Sequence, residues 1–254
     1  MNKYGQKRLI WLGIWVLTLV TLLTAIRYRN SKETKEVSIE IVPNSEGKFF
    51  IKENDIRKTI QKTFGLDLQG RSIADVELDH IEKVMLEQPF VDDADVFVDG
   101  NSKLGIRIIQ REPIMRVIDE EGGNYYLDAK GAQMPTSRYY TARVVVVTGQ
   151  LPSFSPDFQT TKLKIRLKDV FELVKIIDQN DFHKALVEQV YVNSAGEFIL
   201  SPKVGNQTIL LGGIEHIEEK LHRLEVFYKK AMPQVGWNKY SVINLKYNGQ
   251  IVCK

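Results

Sequence analysis

Pro89 to Pro113 reads PFVDDADVFVDGNSKLGIRIIQREP. Within it Ala94, Val96 and Val98 alternate with Asp93, Asp95 and Asp99, and Leu104, Ile106 and Ile108 alternate with Lys103, Gly105 and Arg107. This is the period-two signature of strands with one buried and one wet face. Asp99-Gly100-Asn101-Ser102 between them is turn chemistry, so the stretch predicts a β-hairpin. Upstream, a short helix is expected to start near Asp79, where Asp79-His80-Ile81-Glu82 has capping-box spacing, to bury Ile81, Val84 and Met85, and to end at Pro89. Ile56, Ile60 and Phe64 recur at helical spacing before Gly65, which predicts a helix over 53–64. Before that, Val37, Ile39 and Ile41 alternate with Ser38 and Glu40, a further strand. Strand, helix, helix, strand, strand over residues 37–112 predicts a small α+β domain with its helices on one face of a three-stranded sheet.

Leu9 to Ile26 (LIWLGIWVLTLVTLLTAI) contains no charge. As a helix it spans roughly 27 Å, close to the roughly 30 Å hydrocarbon core of a bilayer. The run is longer than the about 7–15 apolar residues of a signal peptide, and Leu23 stands at −3 of the only plausible cleavage site, Ala25. An uncleaved anchor is therefore expected, carried by Leu9, Trp11, Trp15, Leu19, Leu23 and Ile26. Three Lys/Arg residues precede it and four follow, so charge alone leaves its orientation open. The formal net charge of +3 divides along the chain. Residues 1–35 hold seven basic residues and one acidic one, and the rest holds 28 basic against 31 acidic. A mildly acidic body is not a phosphate-tracking surface, and nucleic acid is excluded as its partner. Residues 1–8 read as a tail, 9–26 as the membrane helix and 27–36 as a polar linker. Cys253 stands alone, so no intrachain disulfide can form.

Beyond Arg111-Glu112-Pro113 the pattern becomes richer in strands. Candidates are Met115–Ile118, Asn124–Leu127, Arg143–Thr148, Val187–Val192, Glu197–Leu200, Thr208–Leu211 and Tyr240–Tyr247. Two helices interrupt them, one through Leu163, Leu167, Val170, Val174 and Ile177, the other through Ile217, Leu221, Leu224, Phe227 and Tyr228. Leu151–Thr161 reads as a connecting loop. The fold class is α+β: one N-terminal transmembrane helix, a βααββ domain, and a β-rich domain with two helices over 113–254.

No constellation for catalysis emerges. His80, His183, His216 and His222 are scattered and read as solvent-facing, without HExxH or paired Cys/His spacing. Asp92, Asp93, Asp95 and Asp99 are interrupted by Phe97 and Val98 where calcium ligands belong, and read as the wet face of a strand. Gly212-Gly213 before a helix lacks a following Lys-Ser/Thr and reads as a turn. No catalytic residue, metal, cofactor or small-molecule substrate is expected.

Several strings, in order, resemble the FtsQ/DivIB family of bacterial division proteins. Pro89-Phe90-Val91 with Ala94 and Val96, then Leu104, Ile106 and Gln110-Arg111-Glu112-Pro113, resemble that family's helix exit, hairpin and E/Q-R-x-P junction. Tyr126-Leu127-Asp128 with Gly131, Val145-Val146-Val147-Thr148-Gly149 and Ile243-Asn244-Leu245-Lys246-Tyr247 resemble motifs of its β domain, with Asn244 where aspartate is common and Lys246 where arginine is common. The resemblance implies a POTRA domain over 37–112 and a β domain after it. It also implies an extracytoplasmic body behind a single-pass anchor in the cytoplasmic membrane at the septum, and no enzymatic activity. The implied role is a scaffold that joins FtsB- and FtsL-like (DivIC-like) bitopic proteins and other divisome members, and that helps control septal peptidoglycan synthesis.

Contact needs a surface, and an edge strand with unpaired backbone groups is one. Ser241–Tyr247 is the candidate edge, with Ser241, Ile243, Leu245, Lys246, Tyr247, Gly249 and Ile251 as partner-binding residues. The competing reading makes Ile243, Leu245 and Tyr247 core residues of a covered strand. At the level of function, the alternative is an anchored envelope-assembly module whose POTRA-like domain handles client polypeptides. It would be favoured by several tandem copies, and one is visible.

Overall fold

The computed structural model describes residues 3–30, 33–65, 68–73, 76–160 and 165–254, with the side chains of 11–24 in the first helix. The chain divides between Gln110 and Arg111 into two compact units. The N-terminal helix α1 is Lys3–Asn30. Its described side chains are exposed, Trp15 at 72% and Trp11 at 63% among them. Thr18, Thr21 and Thr24 donate their hydroxyls to the carbonyls of Ile14, Leu17 and Val20, so none of the three presents an unmet donor on that apolar surface. Among the described residues no helix is long and apolar enough to cross a membrane. The side chains of Leu9 and Ile26, the two ends of the expected anchor, lie outside the described residues.

The rest of the first unit follows the expected order: β1 (Glu36–Val42), α2 (Glu53–Phe64), α3 (Leu78–Leu86), β2 (Val91–Val98) and β3 (Lys103–Gln110). The sheet runs β1-β3-β2, with β1 parallel and β2 antiparallel to β3. Ile56 and Ile60 of α2 and Ile81, Val84 and Met85 of α3 pack with Val96, Leu104, Ile106 and Ile108 of the sheet in one core. Gly65 (φ 72°) closes α2, its amide donating to Gln61. The expected capping box at Asp79 is not formed. Helix α3 begins one residue earlier, at Leu78 behind Glu77, which places Asp79 inside the first turn. There its carboxylate faces the positive end of the helix dipole instead of capping it. In the hairpin turn Asp99 Oδ1 accepts from the amides of Asn101 (2.8 Å) and Lys103 (2.9 Å), and Ser102 takes φ 65°.

The second unit is a nine-stranded sheet with helices on one face. Its elements are β4 (Pro113–Ile118), β5 (Asn124–Asp128), β6 (Gln133–Pro135), β7 (Val145–Gly149), α4 (Ile165–Asp178), α5 (Asp181–Leu186), β8 (Val187–Val192), β9 (Phe198–Pro202) and β10 (Thr208–Gly212). They are followed by α6 (Ile217–Val226), a π-helical turn over Phe227–Ala231, α7 (Met232–Val235), β11 (Val242–Asn244) and β12 (Val252–Cys253). The strand order is β12-β11-β10-β9-β8-β7-β4-β5-β6. Leu167, Val170, Phe171 and Val174 of α4 and Leu221 and Leu224 of α6 meet Val147, Val190, Leu200, Ile209 and Ile243 in a second core.

Four expectations change here. The β-rich region has two further short helices, α5 and α7, and two unforeseen strands, β6 and β12. The expected strand over 240–247 contracts to Val242–Asn244. Leu151–Thr161 is more than a connector as far as residue 160, because Leu151 and Phe158 are fully buried and Phe158 packs edge-on to Phe171 (5.3 Å). Leu163 and Thr161 lie outside the described residues. The junction motif and the Tyr126-Leu127-Asp128 turn meet: Arg111 Nη1 donates to Asp128 Oδ2 at 2.7 Å, while Asp128 Oδ1 accepts from the amides of Lys130 and Ala132.

Candidate partner interface at the open sheet edge

Strand β11 is interior. It pairs in parallel with β10 (Ile209↔Ile243) and antiparallel with β12 (Ile243↔Cys253, Asn244↔Val252). Over Val242–Asn244 the expected edge is therefore covered on both sides. Ile243 and Leu245 are fully buried core residues and cannot reach a partner without unfolding the sheet. The strand stops where it does for a local reason. The Asn244 side chain accepts the Lys246 amide at 3.0 Å, which turns the chain away.

The open edge is one strand further out. Lys254 donates its amide to the Val242 carbonyl (3.0 Å) and its carbonyl accepts from Val242 (3.2 Å) and Ser241 (2.7 Å), so Val242 and Lys254 form a hydrogen-bonded pair. In an antiparallel ladder the next pair along, Ile243 with Cys253, is the non-bonded kind. The N–H and C=O of Cys253 therefore point away from β11. Val252 is 38% exposed, and Ile251 and Cys253 rest partly buried against the core.

The segment between β11 and β12 is held from the helix layer. Arg223 on α6 donates through Nη1 to the carbonyls of Tyr247 (2.7 Å) and Gln250 (2.6 Å) and through Nη2 to Leu245 (3.3 Å), and its Nε lies 3.5 Å from Glu219. Gly249 supplies the positive φ (70°) that the turn requires. Tyr247 is left 51% exposed beside this clamp. Lys246 Nζ sits 2.5 Å from Glu197 Oε1. That ammonium, with a hydrogen bond from Asn193, holds the Glu197 carboxyl below its ordinary value. Lys246 is thus paired within its own chain. Ser241 is exposed at the start of β11, its hydroxyl near the Lys254 carbonyl (3.3 Å).

The residues considered for chemistry go elsewhere. His183 is buried, contrary to the solvent-facing reading: its Nε2 donates to the Leu221 carbonyl at 3.1 Å, and Nδ1 has no partner among the described residues. Burial pushes its pKa down. The Gly212-Gly213 turn is taken up by Lys220, a buried lysine whose Nζ donates to the Gly213 carbonyl at 2.9 Å. Burial lowers the pKa of that ammonium too. Among the described residues no group of three or more His, Cys, Asp or Glu side chains is arranged to hold a metal ion.

Sequence reading missed β12 and Arg223. The first had a signal, since Asn248-Gly249 is hairpin chemistry between two short apolar stretches. The second had none, because a clamp reaching more than twenty residues along the chain leaves no local pattern.

Comparison with known proteins agrees with this architecture. The profile described as POTRA-like domain matches residues 32–109, and that described as FtsQ/DivIB, C-terminal related matches residues 112–254. A cell division protein FtsQ from Rhodothermus marinus is 26% identical over 189 residues, covering 73% of this chain and 68% of that protein. With more than half of its length matched by the family's C-terminal profile, the chain belongs to the FtsQ/DivIB family of cell-division proteins.

Proposed function

We propose that this chain is a non-catalytic, membrane-anchored scaffold of the division machinery that recruits FtsB/FtsL-like (DivIC-like) single-pass proteins by accepting a partner strand on β12. In this reading residues 9–26 span the cytoplasmic membrane with the N-terminus inside and both folded units outside, and the contact helps control septal peptidoglycan synthesis. One observation carries it: the sheet ends in a strand whose outward backbone groups, at Cys253, are turned away from the rest of the protein. An added strand finds hydrogen bonds there, and Tyr247 stands beside it as an exposed aromatic anchor. Lys246, Gly249 and Ser241 belong to the rim of this surface, whereas Ile243 and Leu245 support it from the core.

The test is depletion in the native bacterium, complemented by a fluorescent fusion of the full chain. Filamentous growth on depletion and a midcell band on complementation are expected. Normal septation without the protein sinks the proposal.

A further inference from the structure

The chain beyond its first 35 residues is mildly acidic, yet segments 201–208 and 226–241 hold Lys203, Lys229, Lys230 and Lys239 and no Asp or Glu. The fold brings the two segments together. Strands β10 and β11 run in parallel and begin at the same end of the nine-stranded sheet, where the antiparallel β9 finishes. At that end Thr208 donates its amide to the Ser241 carbonyl (2.8 Å), and the Gln207 side chain donates to the Trp237 carbonyl.

Apolar side chains stand exposed among these lysines. Val204 is 59% exposed in the loop between β9 and β10, and Trp237 (44%) and Val235 (36%) are exposed where α7 leads towards β11. The Trp237 ring rests on the buried Tyr228 (6.1 Å between centroids) and presents its remaining surface to solvent. Carboxylates on neighbouring elements offset part of the charge: Glu225 lies 2.6 Å from Lys229, and Asp178 lies 2.7 Å from Lys184. Lys203, Lys230 and Lys239 form no ion pair among the described residues, and all three are exposed.

We propose that this end of the second unit rests on the anionic phospholipid headgroups of the membrane that anchors the chain, with Trp237 and Val204 at the interface. The inference rests on the anchor reading of residues 9–26. An indole among ammonium groups suits headgroup depth, where its ring is half apolar and half wet, and lysines beside it are drawn to an anionic surface. Three separate apolar side chains on two loops bury too little to hold a protein partner alone. A bilayer needs less, because the anchor keeps this surface at high effective concentration beside the lipid, where weak adhesion is enough.

In the full chain carrying Trp11→Phe and Trp15→Phe, Trp237 is the only tryptophan and its emission reads the contact. The chain is reconstituted into nanodiscs of phosphatidylcholine, with or without phosphatidylglycerol, whose acyl chains are brominated close to the headgroup. Emission should fall about twofold in the phosphatidylglycerol discs, recover at about 0.5 M salt, and change little in phosphatidylcholine alone. Lys230→Glu/Lys239→Glu, changed only at exposed side chains, should abolish the quenching at an unaltered thermal midpoint. Unquenched Trp237 in phosphatidylglycerol discs that the chain has entered overturns the contact and leaves the anchor standing. A chain that enters no disc removes the anchor and the contact with it. Quenching that is equal in both lipids and in the charge-reversed chain overturns the headgroup contact. Emission that responds only to added FtsB-like protein assigns the surface to that partner and overturns it as well.

Discussion

Replacing Cys253 by proline tests strand addition one backbone atom at a time. Because Val242 and Lys254 are the hydrogen-bonded pair, the Cys253 amide faces outward and takes no part in the β11–β12 ladder. Proline lacks that N–H and is tolerated on edge strands where the missing donor faces solvent. The folded chain should keep its thermal midpoint. An added strand, by contrast, loses one donor and leaves its own carbonyl against a pyrrolidine ring. Together these cost about 2 kcal/mol, or roughly thirtyfold in Kd. Val252→Pro is the control, because the Val252 amide faces Asn244. It breaks the ladder and should lower the midpoint as well as the affinity. The assay is binding of the full-length FtsB-like protein to each purified full-length variant in detergent, with thermal unfolding measured on the same samples. If Cys253→Pro binds as tightly as the parent while Val252→Pro weakens binding only by loosening the fold, β12 does not receive a strand.

Three further outcomes follow from the packing and the site. Arg223→Lys keeps the charge but loses the planar fork that holds the carbonyls of Leu245, Tyr247 and Gln250, so amides over 247–254 should exchange at least tenfold faster; unchanged protection refutes the clamp. Phe158→Ala should cost about 3–5 kcal/mol of stability, measured by denaturant unfolding, because a fully buried ring between Phe154 and Phe171 leaves a cavity; a loss under about 1 kcal/mol would show the loop to be dispensable. Burial pushes the His183 pKa below the ordinary imidazole value of 6.5, so near and below that pH the unfolded chain binds the extra proton. Its contribution to stability is present above pH 6.5 and is lost as the pH falls through the lowered pKa. His183→Gln should flatten the decline in melting temperature between pH 7.5 and 5.5, and an equally steep decline would remove His183 as its source.

The parts legible in the sequence were those written in a local period. Helix α2 and the hairpin of the first unit appear at the expected residues because apolar side chains recur every two or every 3.6 positions along them. Strand β12 is shorter than any window in which a period can be counted. Strand β11 was read too long because Leu245 continues the alternation after the hydrogen-bonded strand has ended. Its side chain stays in the core while the Asn244 turn redirects the backbone. His183 sits in a six-residue helix, too short to reveal which of its faces is buried. The open edge thus lies one strand beyond the one the alternation suggested, and finding it required the ladder.

The two ends of the nine-stranded sheet explain why only one of them is suited to a partner. At the far end Asp128 donates its amide to Ala132 across the β5–β6 turn, and β6 then runs Gln133↔Leu127, Met134↔Tyr126 and Pro135↔Tyr125. Counting the alternation from the bonded Asp128–Ala132 pair places Pro135 at a non-bonded position, where its nitrogen faces outward. The outward row of β6 therefore lacks a donor at one of its positions, a common device for blunting an edge. The outward position of β12, Cys253, keeps its donor. A sheet that blocks one edge with proline and leaves the other furnished has a single direction in which it can grow by strand addition. Cys253→Pro would make the β12 end resemble the β6 end, which is why that substitution should silence the interface while sparing the fold.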